Sequence, residues 1–246
     1  MLDIRALLQS IFGLFGYHVS KRERGANPDS SLTEQFRLLG SDVSCIFEVG
    51  AANGRDTAMY ADKFPRATVH AFEPLPVNFK SLAERAAQNP RIVAVNSAVS
   101  DAIGSAEFHV TNLPDASSLF APRETGSTFD RHMTLKETIT TDVTTLDEYI
   151  RKNHIEQIDL LKMDAQGAEL KILQGAHKSL ESNCIKLIYS EVLFMDIYSG
   201  SAKWFEIASF LYQFGFRLHG LYNLNHNQNA QLAWGDAIFT RQEVAK

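Results

Sequence analysis

The sequence lacks the features that mark several large classes of protein. It has only two cysteines, Cys45 and Cys184, and both border apolar stretches, so we expect buried thiols in a reducing compartment rather than disulfides. No run of residues is long and apolar enough to span a bilayer. No basic run stands out, and the formal net charge is −5. These absences weigh against a membrane-spanning protein and against nucleic acid as the primary partner.

Metal-ligand spacing is also missing, because the histidines are scattered along the chain, and the sequence therefore predicts no metal site. The scattered residues are His109, His132, His154 and His177. The chain does have enough apolar material for a core. Of its 246 residues, 45% are hydrophobic, which suits one α/β domain with additions.

The first 41 residues differ from the rest of the chain. Apolar residues recur at helical spacing over residues 1–19, which predicts an N-terminal helix that packs on the domain or on a second subunit. The alternative is a helix lying in the plane of a membrane surface, because the charged residues 21–24 follow it. Residues 25–31 are typical of a linker. We therefore divide the chain into an N-terminal extension, 1–41, and a catalytic domain, 42–246.

Strands and helices alternate along the second part, which predicts an α/β fold with a mostly parallel sheet and helices on both faces. The predicted strands are 44–49, 68–73, 91–95, 158–163, 185–191, 216–222 and 236–240, and the predicted helices include 56–64, 77–88, 145–152, one from the 164–169 segment to 180, and 204–214. The last two strands have no helix between them and must form an antiparallel hairpin. A seven-stranded sheet whose last strand alone is antiparallel is the arrangement of Rossmann-like methyltransferases.

One region interrupts this alternation. Residues 106–110 and 137–143 are predicted to form extra strands on either side of a polar loop, 112–136. A loop of this length is uncommon inside a compact domain and favours a functional or mobile segment.

Two strand ends carry the candidate cofactor site. The first strand carries Glu48 next to its last residue and enters a turn with glycines at Gly50 and Gly54. Small residues there let backbone N–H groups approach a ligand at a helix N-terminus. Glu73 ends the next strand, about 20 residues after the first glycine. Nucleotide-binding α/β folds place at that spacing the carboxylate that accepts hydrogen bonds from ribose hydroxyls.

From residue 45 to residue 240 the sequence resembles the FkbM-type S-adenosylmethionine-dependent methyltransferases. The resemblance rests on the order of the segments 48–54, 71–74, 96–101, 117–119, 145–147, 158–169 and 235–237. The long Lys-x-Asp-x-x-Gly-x-Glu segment is the most specific of them. Two departures stand out. The family loop usually reads Asp-Val-Gly-Ala-Asn-x-Gly, whereas this chain has Glu48 in place of the first Asp, and its Ala52 and Asn53 are exchanged relative to the family order. The second departure is Gln166, which stands where the family often has Glu, so residue 166 is not expected to be an essential acid.

The resemblance implies S-adenosylmethionine as cofactor, lying across the carboxyl ends of the strands. Glu48 would bind its amino group directly or through water, Glu73 would accept both ribose hydroxyls, and Ser97 with Ala98 would contact adenine. The expected cofactor-binding residues are Glu48, Gly50, Ala51, Asn53, Gly54, Glu73, Pro74, Ser97 and Ala98.

The expected catalytic residues are Asp164, Lys162 and Glu191. Asp164 would be the general base or would position the acceptor hydroxyl. Lys162 would lower a neighbouring pKa or pair with Asp164, and the alternative for both is a buried ion pair that fixes the loop. Glu191 would complete a carboxylate site for the acceptor or for a divalent ion.

We therefore expect an O-methyltransferase acting on a sugar, a glycan or a small metabolite. The loops 112–136 and 223–229 would contact the acceptor, and Tyr198, Trp204 and Trp234 would either stack on a sugar or belong to the core. We expect a cytoplasmic protein, peripheral to the inner membrane face if its first helix binds lipid, and a homo-oligomer if that helix packs on a second copy. The alternatives are a non-catalytic scaffold with a methyltransferase-like fold and a nicotinamide-dependent oxidoreductase, whose Gly-x-Gly-x-x-Gly motif is missing.

Overall fold

The computed structural model of the protein describes residues 31–123 and 133–241. The predicted first helix, His132 and the middle of the 112–136 loop lie outside these residues. Within them, no helix is both long enough and apolar enough to cross a membrane.

The described residues contain alternating helices and strands, as the sequence predicts. The helices are α1 Ser31–Leu39, α2 Arg55–Lys63, α3 Pro76–Gln88, α4 Leu146–Lys152, α5 Glu169–Gln174, α6 His177–Glu181 and α7 Trp204–Gln213, and a 3₁₀ turn spans Pro114–Ala116. The strands are β1 Cys45–Val49, β2 Thr68–Phe72, β3 Ile92–Val95, β4 Ala98–Val99, β5 Gly104–Thr111, β6 Leu135–Thr144, β7 Ile158–Met163, β8 Ile185–Leu193, β9 Phe216–His226 and β10 Leu232–Arg241. The Thr145 side chain caps α4 by accepting from the Glu148 N–H.

The main sheet confirms the predicted fold class. Its seven strands have the order β3-β2-β1-β7-β8-β10-β9, and β10 runs antiparallel to both of its neighbours. Every residue of β1 and β7 is buried, because helices cover both faces of the sheet. Near their carboxyl ends, β1 and β7 place Glu48 beside Lys162 in register.

The interrupting region forms a second sheet of order β4-β6-β5. Its two long strands pair antiparallel, and both extend beyond the predicted residues. Phe108 and Val110 form a small apolar cluster with Leu75, and Leu119 packs against it. This cluster holds the second sheet over the carboxyl end of β2.

The prediction of a single helix from the 164–169 segment to Leu180 is wrong. The chain instead forms two short helices, α5 and α6, on either side of Gly175. A Cβ atom at residue 175 would lie 2.1 Å from the Ser100 carbonyl oxygen, so the close approach requires glycine. The Asp147 carboxylate accepts from the N–H groups of Lys178 and Ser179 and so caps the second helix.

The last hairpin is longer than predicted. Residues 223–226, expected in an amide-rich loop, belong to β9, and His226 pairs with Leu232. Asn227 closes the short connection, because its side-chain oxygen accepts from the N–H groups of Asn229 and Gln231. Residues 223–226 belong to an exposed edge strand and are mostly polar, so they lack the apolar alternation by which strands are predicted. The predicted strand therefore ends too early.

Two apolar clusters fill the two sides of the main sheet. One contains Phe47 and Phe72, against which the Tyr149 ring packs edge-on, and the other contains Ile46 and Tyr60. Cys45 and Cys184 are buried free thiols, in agreement with the sequence prediction of their burial. Because both faces are packed, a ligand site is expected at the carboxyl edge of the sheet.

Candidate active site at the carboxyl edge of the sheet

The carboxyl ends of β1, β2, β3 and β7 open into one cavity. Six of the predicted site residues line it: Gly50, Glu73, Pro74, Ser97, Ala98 and Asp164. The other six do not line it in the part of the chain that the structure describes: Glu48, Ala51, Asn53, Gly54, Lys162 and Glu191.

The first glycine loop is fixed by close contact with β2 and β7. Gly50 has a positive φ of 79°, and a Cβ atom there would lie 1.9 Å from the Asp164 carbonyl oxygen. The N–H groups of Gly50 and Ala51 both donate to the Phe72 carbonyl, at 3.1 and 3.0 Å. Ala52 also has a positive φ, 46°, which is unfavourable for a residue with a Cβ atom. The exchange of Ala52 and Asn53 against the family pattern therefore places alanine at a left-handed position.

Glu73 links this loop to the end of β2. Its Oε2 accepts from the Ala52 N–H and its Oε1 from the Leu75 N–H, both at 2.8 Å. Burial raises the pKa of Glu73 to about 7, although these two N–H groups favour its charged form. A carboxylate offers about four acceptor positions, so Glu73 has the capacity to accept two further hydrogen bonds.

Glu48 and Lys162 form a buried ion pair on the side of the sheet that α2 covers. Lys162 Nζ lies 2.8 Å from Glu48 Oε1 and 3.1 Å from Asp56 Oδ2, and the Thr57 hydroxyl donates to Glu48 at 2.5 Å. The expected Lys162–Asp164 pair is therefore not the arrangement in the structure. Lys162 is in register with Glu48, and α2 presents Asp56 and Thr57 to both of them.

Burial and mutual attraction shift the pKa values of both members of this pair. Burial raises the pKa of Glu48, and the charge of Lys162 opposes that effect. Burial lowers the pKa of Lys162, but the nearby carboxylates, Glu48 first among them, hold it well above its ordinary value. Because Glu48 is fully buried and does not line the cavity, the expected direct contact with a cofactor amino group has no support in this geometry.

Asp164 and Glu191 are joined by one amide group. Gln166 Nε2 donates to Asp164 Oδ1 at 2.7 Å and to Glu191 Oε2 at 3.1 Å. The buried Tyr198 hydroxyl donates to Gln166 Oε1 at 2.5 Å and so fixes which way the amide points. Burial, followed by the charges of Asp164 and Glu169, raises the pKa of Glu191 well above its ordinary value.

The sequence did not predict the contact between Gln166 and Tyr198. Gln166 has a positive φ of 54°, and non-glycine residues in that conformation concentrate at functional sites. Its carbonyl oxygen also accepts from the Ser118 hydroxyl at 2.8 Å, which ties the loop after β7 to the inserted sheet. No local sequence pattern predicts these contacts, because Tyr198 and Ser118 lie 32 and 48 residues away from Gln166 in the sequence.

Further carboxylates surround this pair. Asp236 lies opposite Glu191 in the β8–β10 register and accepts from the Tyr189 hydroxyl at 2.7 Å and from the Asn223 amide at 2.6 Å. Glu169 accepts from the Ala165 N–H at 2.8 Å, and burial raises its pKa to about 7. Among the residues that the structure describes, no group of three or more His, Cys, Asp or Glu side chains is arranged to hold a metal ion.

Two of the three aromatic candidates, Tyr198 and Trp204, pack in or against the core. Tyr198 is only 2% exposed, so its ring belongs to the packing and is not open to stack on a sugar. Trp204 packs against the core and against the Phe194 ring, with centroids 6.1 Å apart. Asn223, from the segment expected to contact the acceptor, supports Asp236 instead.

Sequence comparison matches residues 48–218 of this chain to the family described as the methyltransferase FkbM domain. A relative from Sinorhizobium fredii, named 2-O-methyltransferase NoeI, is 26% identical over 70% of this chain and 74% of its own length. A relative from Streptomyces tacrolimicus, named 31-O-demethyl-FK506 methyltransferase FkbM, is 32% identical over 58% of this chain and 63% of its own. Methyltransferase sdnD from Sordaria araneosa is 29% identical over 53% of this chain and 59% of its own. The chain thus spans less than two thirds of the last two relatives.

Among solved structures, an Aeropyrum pernix fibrillarin in complex with natively bound S-adenosyl-L-methionine matches with a TM-score of 0.48 and 11% sequence identity. The match covers 82% of this chain and 68% of that protein.

Proposed function

Since the chain belongs to the family of methyltransferase FkbM domains, we propose that it is an O-methyltransferase that acts on a hydroxyl of a sugar, a glycan or another small metabolite. Its membership of this family makes it an S-adenosylmethionine-dependent methyltransferase. The names of two relatives, a 2-O-methyltransferase and a 31-O-demethyl-FK506 methyltransferase, support a hydroxyl as the acceptor. The family match removes the support for the nicotinamide-dependent alternative.

The cavity fits the methyl donor by the chemistry of its walls. Glu73 offers a carboxylate at the end of β2, suited to two ribose hydroxyls. Val99, Phe108 and Leu119 give an apolar wall suited to the flat face of adenine. Gly50 lines the same cavity beside Asp164, and the methionine half would lie there.

One observation carries the assignment of the reaction: Asp164, at the end of β7, lines the same cavity as Glu73. The donor supplies a methyl group on a positively charged sulfur, which a nucleophilic oxygen attacks in line. An acceptor hydroxyl has to be aligned with that carbon and has to lose its proton. In our proposal Asp164 accepts the hydroxyl proton, and the Gln166 amide holds the carboxylate in place from one side.

We assign the remaining predicted residues different roles. Lys162 and Glu48 support the glycine loop from beneath through their buried ion pair, and they do not touch the reacting groups. Glu191, which shares the Gln166 amide with Asp164, contacts the acceptor rather than the donor.

Calorimetric titration with S-adenosylmethionine and S-adenosylhomocysteine, with NADH as a control, tests the donor site. Binding of both sulfur compounds without binding of NADH is the expected result. Absence of binding by either sulfur compound would contradict the proposal and would favour the non-catalytic scaffold.

The Asp164→Asn variant then tests the chemistry. We expect it to bind S-adenosylhomocysteine like the wild type and to lose methyl transfer by about 100-fold or more in a screen that begins with sugars. An active Asp164→Asn variant would show that another group accepts the proton.

We further propose that the protein works in the cytoplasm on a small-molecule or glycan acceptor rather than on nucleic acid. The amphipathic pattern of residues 1–19 supports contact with the inner membrane face or with a second copy of the chain. Flotation with anionic vesicles and light scattering of the full chain separate these two roles.

A further inference from the structure

The inserted segment between β5 and β6 reaches the cavity at one turn. The 3₁₀ turn Pro114–Ala116 follows β5, and Asp115 and the adjacent Ser117 line the cavity together with Glu73. The sequence analysis assigned the surrounding loop, 112–136, to the acceptor and named no single site residue within this turn.

The turn is held from three directions. The Asn78 amide of α3 donates to Asp115 Oδ1 at 3.2 Å, and Asn78 is itself buried. The Tyr198 hydroxyl lies 3.1 Å from the Ala116 carbonyl oxygen, and the Thr111 N–H donates to the Ser117 hydroxyl at 3.1 Å. The Asp115 carboxylate is therefore fixed at the cavity before a ligand arrives, which lowers the entropic cost of binding.

The surroundings of Asp115 identify the part of the donor that reaches it. Glu73 marks the ribose position in the proposed donor site, and the charge of Asp115 is close enough to Glu73 to influence its titration. Phe108 and Leu119, from the same inserted region, supply apolar surface beside the turn. A flat base held against that surface presents a polar edge to the carboxylate, which only accepts hydrogen bonds when ionised.

We propose that Asp115 accepts a hydrogen bond from the exocyclic amino group of adenine, so that the inserted segment selects an adenosyl donor. The inference rests on the proposed donor site. It adds a specificity-determining residue that lies outside the main sheet and outside the strand ends that hold the rest of the donor.

The Asp115→Asn variant separates recognition from support of the turn. The substituted side chain still offers an oxygen to the Asn78 amide, so the tether survives, but its amide nitrogen presents a donor where the carboxylate presented an acceptor. The probes are S-adenosylhomocysteine and S-inosylhomocysteine, in which a carbonyl oxygen replaces the amino group. We expect the wild type to prefer the adenosyl compound by about 10- to 100-fold and the variant to lose most of that preference.

The outcomes distinguish this inference from the proposal beneath it. A wild type that binds neither compound contradicts the proposed donor site. A wild type that binds S-adenosylhomocysteine, together with a variant whose adenosyl-to-inosyl ratio is unchanged, overturns the role of Asp115.

Asn78→Ala serves as the control for support of the turn. This variant loses the tether but keeps the carboxylate, and we expect it to weaken both probes by a similar factor and to leave their ratio in place. If Asn78→Ala lost the preference for the adenosyl compound while Asp115→Asn kept it, Asn78 would recognise the adenine amino group and the inference would be overturned.

Discussion

The Lys162 ammonium nitrogen lies 2.8 Å from Glu48 Oε1 at the carboxyl ends of β7 and β1, and both side chains are almost completely buried. Two charges at such a site stabilise one another only as a pair, because each has given up its hydration. The pair explains why a lysine is tolerated in the middle of an apolar sheet. It also separates the role of Lys162 from that of Asp164, two residues further along the chain.

Replacing Lys162 by methionine leaves the Glu48 carboxylate buried without its partner. We expect Lys162→Met to lower the free energy of unfolding by about 3–5 kcal/mol, measured by urea denaturation. The double variant Glu48→Leu with Lys162→Met removes both charges and should recover much of that loss.

Lys171 offers a matched control, because it pairs with Asp101 at 3.2 Å at the surface. We expect Lys171→Met to change the free energy of unfolding by no more than about 1 kcal/mol. Equal losses for the two lysine variants would show that the buried pair is not a special contribution to stability.

Ala52 supplies a second stability prediction. Its φ of 46° is costly for a residue with a Cβ atom, so Ala52→Gly should stabilise the fold by about 1 kcal/mol. The same substitution at Ala87, an exposed position in the last turn of α3, should destabilise the fold by about 0.5 kcal/mol. Thermal unfolding of both variants checks this opposite sign, and a destabilised Ala52→Gly would contradict the claim of backbone strain.

Much of the fold was predictable because it depends on local patterns. The sequence predicts the apolar strands whose carboxyl ends carry Glu48, Glu73 and Asp164, and parallel strands place those ends at one edge of the sheet. The break at Gly175 could not be read, because it is imposed by the carbonyl of Ser100, far away in sequence.

The candidate site likewise has a part that local sequence predicts and a part that depends on contacts between distant segments. Six of the twelve predicted residues line the cavity, and they lie at strand ends or in the turns that follow them. The partners of Lys162 depend on which face α2 covers, and strand alternation alone cannot decide that. The contacts of Tyr198 with Gln166 and with Ala116 join three separate segments, so no motif contains them.

The amide bridge of Gln166 makes a prediction about catalysis. Gln166→Met keeps the side-chain length but removes the hydrogen bonds to both Asp164 and Glu191. We expect kcat to fall by about tenfold or more while the Kd for S-adenosylhomocysteine changes by less than about twofold, because the lost contacts hold Asp164 and not the donor.

Gln174→Met, on the exposed face of α5, is the matched control and should leave both constants unchanged. If Gln166→Met instead raised the Kd and left kcat alone, the amide would serve the donor, and the assignment of Asp164 as the held base would lose its support.

Glu73 connects donor binding to pH. Burial raises its pKa to about 7, so below that pH it is largely protonated in the free protein. Accepting both ribose hydroxyls requires the charged form, so binding at acidic pH has to be accompanied by loss of a proton. The affinity for S-adenosylhomocysteine should therefore rise as pH increases from about 6 to about 8 and level off above the pKa.

Calorimetry in two buffers with different ionisation enthalpies measures the released proton directly. We expect release near pH 6.5 for the wild type and none for Glu73→Gln, whose affinity should be much weaker and independent of pH. Glu169 is the matched comparison, because burial raises its pKa to about 7 as well, while its side chain does not line the cavity. Glu169→Gln should therefore keep the proton release, and loss of the release in that variant would move the pH dependence from Glu73 to Glu169.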